Sequence, residues 1–469
     1  MTLCCRCWKV LLSKFLMPGL VKRGTLVFAT ATFLILTFIP VLTAVRPPKL
    51  QYKMTTLSNG LKVSFSEDHS TPIVHVSVWY HVGSKNEKPG RTGVAHLIEH
   101  MMFKGSKNVM PDSHPSILAG IGGEANAYTN EDTTVFWQTF PSQYLPLVLW
   151  LEADRMATLR VDEEAFRRER EVVKEERRMR VENQPYGRLN EIIYENAFTK
   201  HPYKHPTIGS IEDLEAASIE DVREFHNTYY VPENATVTIV GDFDPELATV
   251  LVNKYLGRVP KAKQSVPRDI PMEPAMDGEK RLTLEETSWP LPVVVVAHHI
   301  TYDGHPDSYP LHIVSKVLSD GQSSRITSEL VYKKGLALTA FGSGNIVEHP
   351  NLFYAVAVVQ PGKSPAEVEK ALIAELERVK LEKITDKELQ RTKNQFARDY
   401  IIGRESIQQK ATHLAHAAVL HNDITTADGE FDIFMNIQPV DVQRVAQKYF
   451  TSTNRLVLTI FPLGHGGGG

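Results

Sequence analysis

The chain has 469 residues, of which 42% are hydrophobic and 23% are charged, and its formal net charge at pH 7 is −3. This length exceeds one compact core and predicts two domains of roughly 200 residues. The net charge provides no basic field to attract nucleic acid and the sequence contains no basic nucleic-acid-binding motif, so no nucleic-acid partner is expected. The three cysteines all lie at positions 4, 5 and 7, which excludes a disulfide framework or a cysteine-ligated zinc in the folded body.

The N-terminus contains an uncharged apolar run, residues 24–45, that follows several lysines and an arginine. A positive start, an apolar stretch and small residues near Ala44 predict a secretory signal peptide. The run is also long enough to span a bilayer, so an uncleaved membrane anchor is the alternative interpretation. Either interpretation predicts an exported protein that is periplasmic or membrane-anchored and faces outside the cytoplasm.

The body begins near residue 51 and has the pattern of a mixed α/β protein. Strands are predicted where apolar residues alternate or form short runs, and helices where they recur every three or four positions. In chain order the pattern predicts strands at 59–68 and 72–84, a helix through 91–106, a strand at 122–140, and helices at 146–159 and 162–185.

A second set of elements follows a stretch rich in proline and charge, which predicts a linker at 263–280. The segments 221–240 and 441–460 also match, since Asp221/Asp441 and Asn234/Asn454, with two further pairs, are each 220 residues apart. Such a constant offset indicates an internal duplication. Two similar halves joined by a linker predict a clam, with ligand sites in the cleft between them.

The sequence His96-Leu97-Ile98-Glu99-His100 is the inverted zinc motif H-x-x-E-H. On a helix, residues four apart lie on one face, so His96 and His100 can both reach one ion. Zinc binds imidazole nitrogen readily, and Glu99 beside a ligand is placed like the catalytic glutamate of H-E-x-x-H. The apolar residues around the two histidines favour a metal site over a solvated helix face.

A catalytic zinc has three protein ligands and one open position, so a third ligand is expected. His201 and His205 are four residues apart, but Pro202 prevents a helix there. The charged helix at 163–182 offers several glutamates, of which Glu169 and Glu176 share a face two turns apart. Spacing alone does not choose between these two carboxylates.

The stretch Glu169-Arg170-Glu171-Val172-Val173-Lys174-Glu175-Glu176 resembles the E-R-D-V-x-x-x-E pattern of the insulinase/pitrilysin family of zinc peptidases, in its processing-peptidase-like branch. That family also carries H-x-x-E-H about 75 residues earlier. The resemblance implies one Zn²⁺ per chain, held by His96, His100 and Glu176, with Glu99 as the catalytic base. It further implies that Glu169 supports the ligands.

The resemblance extends over GGEANAYTNEDTT, residues 122–134, where it implies that Asn126 and Ala127 bind the substrate backbone. It also implies the α+β, LuxS-like metallohydrolase fold of the mitochondrial processing peptidase, with two duplicated mixed α/β halves forming a clam. The predicted organisation is a signal peptide or N-terminal membrane anchor at 1–46, an N-terminal zinc-bearing catalytic domain at 47–262, the linker at 263–280, a C-terminal degenerate repeat domain at 281–463, and a Gly-rich tail at 464–469.

The second half departs from the resembling family in two ways. An offset of 216 places Lys316 opposite His100, and an offset of 223 places Asp399 opposite Glu176, so no zinc site is expected there. Active members also carry an Arg and a Tyr seven residues apart that bind substrate, where this chain has Val331 and Leu338. The alternative pair Arg325 and Tyr332 has the same spacing in a different register.

Together these patterns predict a zinc metalloendopeptidase that hydrolyses peptides or unfolded segments. The missing Arg/Tyr pair predicts a heterodimer with a homologous chain that supplies it, or alternatively a homodimer. The competing interpretation is a non-catalytic zinc-binding assembly or scaffold subunit.

Overall fold

Two mixed β-sheets covered by helices form the body of the protein, from Lys49 onward; the computed structural model describes residues 46–464. The predicted signal or anchor at 24–45 and the end of the Gly-rich tail lie outside the described residues. Within the described part of the chain, no helix combines the length and apolarity needed to cross a bilayer.

The strands divide into two sheets, one before and one after residues 259–279, which contain no helix or strand. The predicted boundaries of the linker and of the two domains stay predictions. The first sheet contains β1 (Lys53–Thr56), β2 (Lys62–Glu67), β3 (Ile73–Tyr80), β4 (Glu124–Thr129), β5 (Thr134–Pro141) and β6 (Ala235–Gly241), and the second contains β7 (Lys280–Glu286), β8 (Val293–His299), β9 (Ala337–Gly344), β10 (Leu352–Val359) and β11 (Leu456–Pro462).

The helices connect these strands and cover both sheets. Two short π-helical segments, Arg178–Glu182 and Thr327–Lys333, also occur. The α-helices are α1 (Val94–Met101), α2 (Ser113–Gly120), α3 (Leu145–Thr158), α4 (Glu163–Arg177), α5 (Leu189–Ala197), α6 (Ile211–Ala216), α7 (Ile219–Tyr229), α8 (Pro245–Tyr255), α9 (Ser308–Ser319), α10 (Pro365–Leu381), α11 (Asp386–Ile402), α12 (Ile407–Val419), α13 (Thr426–Asn436) and α14 (Pro439–Tyr449).

The two sheets repeat one topology. The first has the order β1-β2-β6-β3-β5-β4 and the second the order β7-β11-β8-β10-β9. In both, one parallel pair (β2 with β6, β7 with β11) is followed by antiparallel pairs. The predicted fold class, an α+β clam of two duplicated halves, is confirmed.

A pair of matched asparagines shows the repeat at atomic detail. Asn234 Nδ2 donates to the carbonyl oxygens of His81 and Tyr229, at 3.2 and 2.8 Å. Asn454 Nδ2 donates to the carbonyl oxygens of His299 and Tyr449, both at 2.8 Å. Each asparagine side chain connects the end of a helix to a neighbouring strand at the same helix–turn–strand junction, which explains why asparagine occurs at both positions.

One helix from each half also packs against the sheet of the other half. Helix α5 of the first half packs on β8 and β11, burying Ile192 and Ile193 in the core of the second sheet. Helix α12 of the second half packs on β3 and β6, where Ala411 is fully buried beside Val240. The two helices occupy corresponding positions in the repeat, so the exchange is reciprocal.

One predicted element differs in the structure. The segment predicted as a single strand, 122–140, is a hairpin of β4 and β5 joined by a turn at residues 130–133. Asn130 Oδ1 accepts from the backbone N–H groups of Asp132 and Thr133, at 2.8 and 2.7 Å. An asparagine side chain that bonds the backbone two residues on is a local turn signal.

Candidate metal centre

Helix α1, which carries the H-x-x-E-H motif, starts in a tightly packed corner. Gly93 precedes it with a φ of +92°, and a Cβ there would lie 2.7 Å from the carbonyl oxygen of Ile208. Glu87 accepts hydrogen bonds from the backbone N–H groups of Gly93 and Ala95, at 3.0 and 2.8 Å. A carboxylate at a helix N-terminus satisfies otherwise unpaired donors, so the start of the helix is fixed.

The remaining turns of α1 are held by an apolar face. Leu97, Ile98 and Met101 are completely buried in the core of the first half. Burying side chains of this size stabilises the fold by about 1.5–3 kcal/mol each. His96, Glu99 and His100 are left on the remaining face, which turns towards α4 and β4.

Helix α4 brings the predicted carboxylates to this face. Its first turn is capped by Asp162, whose side chain accepts from the N–H of Ala165 at 2.9 Å. Phe166 and Val173 are buried on the side that packs against the core. Glu169 and Glu176 project from α4 at spacings that put both beside α1.

The structure brings His96, His100 and Glu176 together. One donor atom from each lies within 4.8 Å of the other two. Glu176 Oε2 is 3.9 Å from His96 Nε2 and 3.4 Å from His100 Nε2. Ligands on a tetrahedral zinc, each bound at 2.0–2.2 Å, are separated by roughly 3.4 Å, so this donor set fits the ion.

The two imidazoles are in different electrostatic environments. Burial, followed by the nearby charge of His100, lowers the pKa of His96 to about 4, so this imidazole is neutral at pH 7. Burial also acts to lower the pKa of His100, but its bonds to Glu169 and Glu176 outweigh burial and raise it to about 9. A cation bound among these groups would replace the proton on His100, because metal ligation requires the neutral imidazole.

Glu169 lies behind His100. Its Oε2 is 3.6 Å from His100 Nδ1, and its Oε1 is 3.0 Å from Lys104 Nζ. Burial opposes ionisation, but the bonds to His100 and Lys104 lower the pKa of Glu169 to about 2. A carboxylate on the far nitrogen of a ligating histidine fixes its ring and raises its basicity.

Glu99 faces the same space but is not part of the donor set. Its Oε2 accepts a hydrogen bond from Thr129 Oγ1 at 2.6 Å. Burial raises the pKa of Glu99, and the bond from Thr129 counteracts part of that effect. A carboxylate with a raised pKa accepts protons more readily near neutral pH.

Strand β4 forms an open edge of the first sheet beside α1. Among the strands of residues 46–464 it pairs with β5 alone, so the backbone groups on its other side are free to pair with an extended peptide. Asn126 is exposed on this strand, and its Oδ1 accepts from the N–H of Ala127 at 2.9 Å.

The corresponding helix pair of the second half, α9 and α11, carries a different arrangement. Lys316 Nζ is 3.2 Å from Asp399 Oδ2. Ser315, opposite Glu99 in the repeat, accepts through Oγ from the N–H of Gly344 on β9 at 3.0 Å. A direct ion pair thus stands where the first half has His100 and Glu176.

The residues at the family's Arg and Tyr positions offer no polar contact. Val331 packs against the core of the second half, and Leu338 is half exposed on β9. The alternative Arg325 is buried and bonded through two nitrogens to Glu388, at 2.8 and 3.0 Å. Tyr332 is 60% exposed. Arg325 is therefore engaged within its own half.

Three contacts of the centre were not expected from the sequence. Thr129 bonds Glu99, Lys104 pairs with Glu169, and Arg180 Nη1 lies 2.5 Å from Glu176 Oε1. Lys104 and Arg180 each follow a centre residue by four positions on or just beyond its helix. That i,i+4 spacing is the signal that could have identified the pair of Arg180 with Glu176, whereas Lys104 contacts Glu169 on another helix.

Two family models and several curated relatives match this chain. A family model described as Insulinase (Peptidase family M16) matches residues 62–210, and one described as Peptidase M16 inactive domain matches residues 216–396. The zinc protease PqqE of Helicobacter pylori is 32% identical over 414 residues, covering 88% of this chain and 93% of that relative. An uncharacterized zinc protease of Bacillus subtilis, YmxG, is 24% identical over 418 residues.

Solved structures have the same fold. The crystal structure of a protease from Helicobacter pylori matches with a TM-score of 0.84 and 32% identity, covering 88% of this chain and all of that one. The periplasmic protease PqqL from Escherichia coli matches with a TM-score of 0.72 and 17% identity. The match covers 88% of this chain but 48% of that one.

Proposed function

Because the chain belongs to the insulinase family, peptidase family M16, we propose that it is a zinc-dependent endopeptidase that hydrolyses peptides or unfolded segments. The observation that carries the proposal is the donor set of His96, His100 and Glu176, within 4.8 Å of one another, with Glu99 on the same face. The zinc proteases among its relatives support the same chemistry.

In this proposal His96, His100 and Glu176 hold one Zn²⁺ per chain. A zinc ion in this position supplies a Lewis acid that activates water and polarises the scissile carbonyl. Glu169 orients His100 through Nδ1, and Lys104 neutralises the charge of Glu169 on its other oxygen. Arg180 forms an ion pair with Glu176 Oε1, the carboxylate oxygen that does not face the histidines.

Glu99 acts as the general base and then as the general acid. Thr129 occupies its Oε2, so Oε1 is free to accept a proton from the attacking water and return it to the leaving amine. The raised pKa of Glu99 suits both steps, because the carboxylate must bind the proton and then release it.

Substrate binds as an extended strand along the open edge of β4. Backbone hydrogen bonds to the strand, near Asn126 and Ala127, supply affinity without selecting for side chains. The edge lies directly beside Glu99, since Thr129 at the end of β4 bonds that carboxylate.

A partner chain completes the site by supplying the Arg/Tyr pair. Val331 and Leu338 replace those residues here, and Arg325 is held by Glu388. A heterodimer with a homologue that carries the pair accounts for this, and a homodimer is the alternative. The PqqL structure supports pairing, since this chain matches about half of that protein.

The missing Arg/Tyr pair also favours a second candidate function, a non-catalytic zinc-binding scaffold subunit. Such a subunit would bind zinc and a partner without hydrolysing peptides. In either case the apolar run 24–45 supports export, as a periplasmic protein or one anchored in the membrane.

The deciding experiment measures zinc content and hydrolysis of fluorogenic peptides, for the chain alone and with a homologue bearing Arg and Tyr that co-purifies with it. Glu99→Gln is expected to retain zinc and to lose activity by about 10²–10⁴-fold or more, the usual contribution of a general base. Full activity of Glu99→Gln would refute the base assignment, and a zinc-loaded complex without any peptidase activity would favour the scaffold.

A further inference from the structure

We propose that Asp303, His416 and His421 form a second cation site, which binds zinc and holds α12 to the loop that follows β8. The three residues come from different parts of the second half. Asp303 lies in the loop between β8 and α9, His416 lies on α12, and His421 follows the end of that helix. The proposal does not depend on the proposed peptidase function.

The donor atoms converge as closely as those of the first centre. One atom from each of the three lies within 4.8 Å of the other two. Asp303 Oδ2 is 3.4 Å from His416 Nε2 and 2.9 Å from His421 Nε2. A widening of the shorter distance by about 0.5 Å would give the ligand spacing of a tetrahedral zinc, roughly 3.4 Å.

The remaining polar atoms of His421 and Asp303 are held in ways that suit ligands. His421 Nδ1 is 2.8 Å from Thr426 Oγ1, which fixes the ring and leaves Nε2 facing Asp303. Asp303 Oδ1 accepts from the N–H of Gly304 at 2.9 Å, and its own N–H donates to the carbonyl oxygen of Val347 at 2.7 Å. Metal-ligating histidines commonly have such an outer partner on the second nitrogen.

A bound cation explains the orientation of the His416 imidazole better than an ion pair with Asp303 does. The pair of Asp303 with His421 is complete at 2.9 Å, yet His416 points its Nε2 at the same oxygen. The two rings are perpendicular, with centroids 5.3 Å apart, so they do not stack. Two imidazole nitrogens and one carboxylate oxygen around one point form a donor set that zinc prefers.

The position of the site gives it a structural role. His416 lies on α12, the helix that packs on β3 and β6 of the first sheet, and Asp303 follows β8 of the second sheet. A zinc ion between them would link the exchanged helix to the loop of its own half. Zinc held by ligands from both segments would stabilise the folded chain, because the unfolded chain does not bring these donors together.

The test is the zinc content of the full-length chain after equilibration with excess zinc and removal of free metal. We expect two equivalents in the wild-type chain and one in either His421→Ala or Asp303→Asn. His413→Ala is the matched control, because His413 lies on the same helix outside the cluster and should leave two equivalents. A melting temperature measured with and without zinc verifies folding and should rise less in His421→Ala.

A second variant separates the two centres. The double variant His96→Ala/His100→Ala should keep one equivalent, and adding His421→Ala to it should leave none. The proposal is overturned if the double variant binds no zinc, or if His421→Ala and Asp303→Asn both keep two equivalents. If the wild-type chain binds one equivalent, which His96→Ala/His100→Ala keeps and His421→Ala loses, zinc binds at this site and not at the first centre.

Discussion

Lys316 and Asp399 form an ion pair, 3.2 Å between Nζ and Oδ2, in the helix pair of the second half that corresponds to the helices of His100 and Glu176. The duplicated fold is therefore preserved while its donor set is replaced. A lysine supplies its own positive charge beside the carboxylate, so the position needs no metal ion to balance Asp399.

The first prediction concerns this pair. Lys316→Met should leave the zinc content and peptide hydrolysis of the first centre unchanged, whereas His100→Ala should remove zinc from that centre. Both partners are partly exposed, so the loss of stability should be about 0.2–1 kcal/mol. Denaturant unfolding and metal analysis of both variants measure this, and zinc loss in Lys316→Met would show that the second half contributes to the centre.

Glu169→Gln should weaken zinc binding without removing a ligand. The amide keeps the shape of the side chain but loses the charge that holds His100 Nδ1, and such outer partners contribute about 10–100-fold in metal affinity. Competition with a chromophoric chelator measures the affinity. Glu171→Gln is the matched control, since Glu171 lies on the same helix with its side chain 59% exposed, and it should bind zinc as tightly as the wild type.

Thr129→Val should shift the acidic limb of the pH–activity profile to higher pH. The threonine hydroxyl donates to Glu99 and stabilises its charged form, so removing it raises the pKa of a carboxyl that burial already raises. The base is then protonated over a wider range below neutrality. Thr129→Ser retains the hydroxyl and should restore the wild-type profile, and an unchanged profile in Thr129→Val would contradict a role for this bond.

Lys85→Met should destabilise the protein strongly. Lys85 is almost fully buried, 2.8 Å from Asp132 of the first half, and also bonds Glu348 of the second half. Leaving such carboxylates without their cation costs about 3–5 kcal/mol. Lys88→Met is the control, because Lys88 pairs with Glu224 on the surface and should cost less than about 1 kcal/mol. Equal unfolding midpoints for both variants would exclude the buried network as a bond between the halves.

The two halves should not fold as separate fragments. Residues 47–262 alone would expose the face of β3 and β6 that α12 covers, and would leave Ile192 and Ile193 of α5 in water. We expect this fragment to aggregate when produced alone and to be soluble when co-produced with residues 263–469. Size-exclusion chromatography of the two preparations is the measurement, and a monomeric, cooperatively unfolding fragment would contradict the prediction.

Local spacing is sufficient to predict part of the centre. His96 and His100 share a helix face because residues four apart always do, and the apolar residues between them predict which side is buried. The choice between Glu169 and Glu176 depends instead on where α4 crosses α1, which is a property of tertiary packing. The resemblance to a family pattern, and not the spacing, distinguished them.

The exchange of α5 and α12 could not be predicted from the sequence. Periodicity indicates that a helix has an apolar face but not which sheet the face covers. The cluster of Asp303, His416 and His421 was missed for the same reason, since 113 residues separate Asp303 from His416 along the chain. The hairpin of β4 and β5, by contrast, has a local turn signal in Asn130, whose side chain bonds the backbone two residues on.

The reciprocal packing of α5 and α12 on each other's sheets constrains how the chain evolved. A half-length ancestor would have left one sheet face bare unless a second copy placed its own helix there, which makes a two-fold, domain-swapped dimer the smallest stable form. Joining two such genes would convert that dimer into one polypeptide without moving any helix. Once two copies existed, one could carry Lys316 at the position of His100 while the other retained its metal ligands.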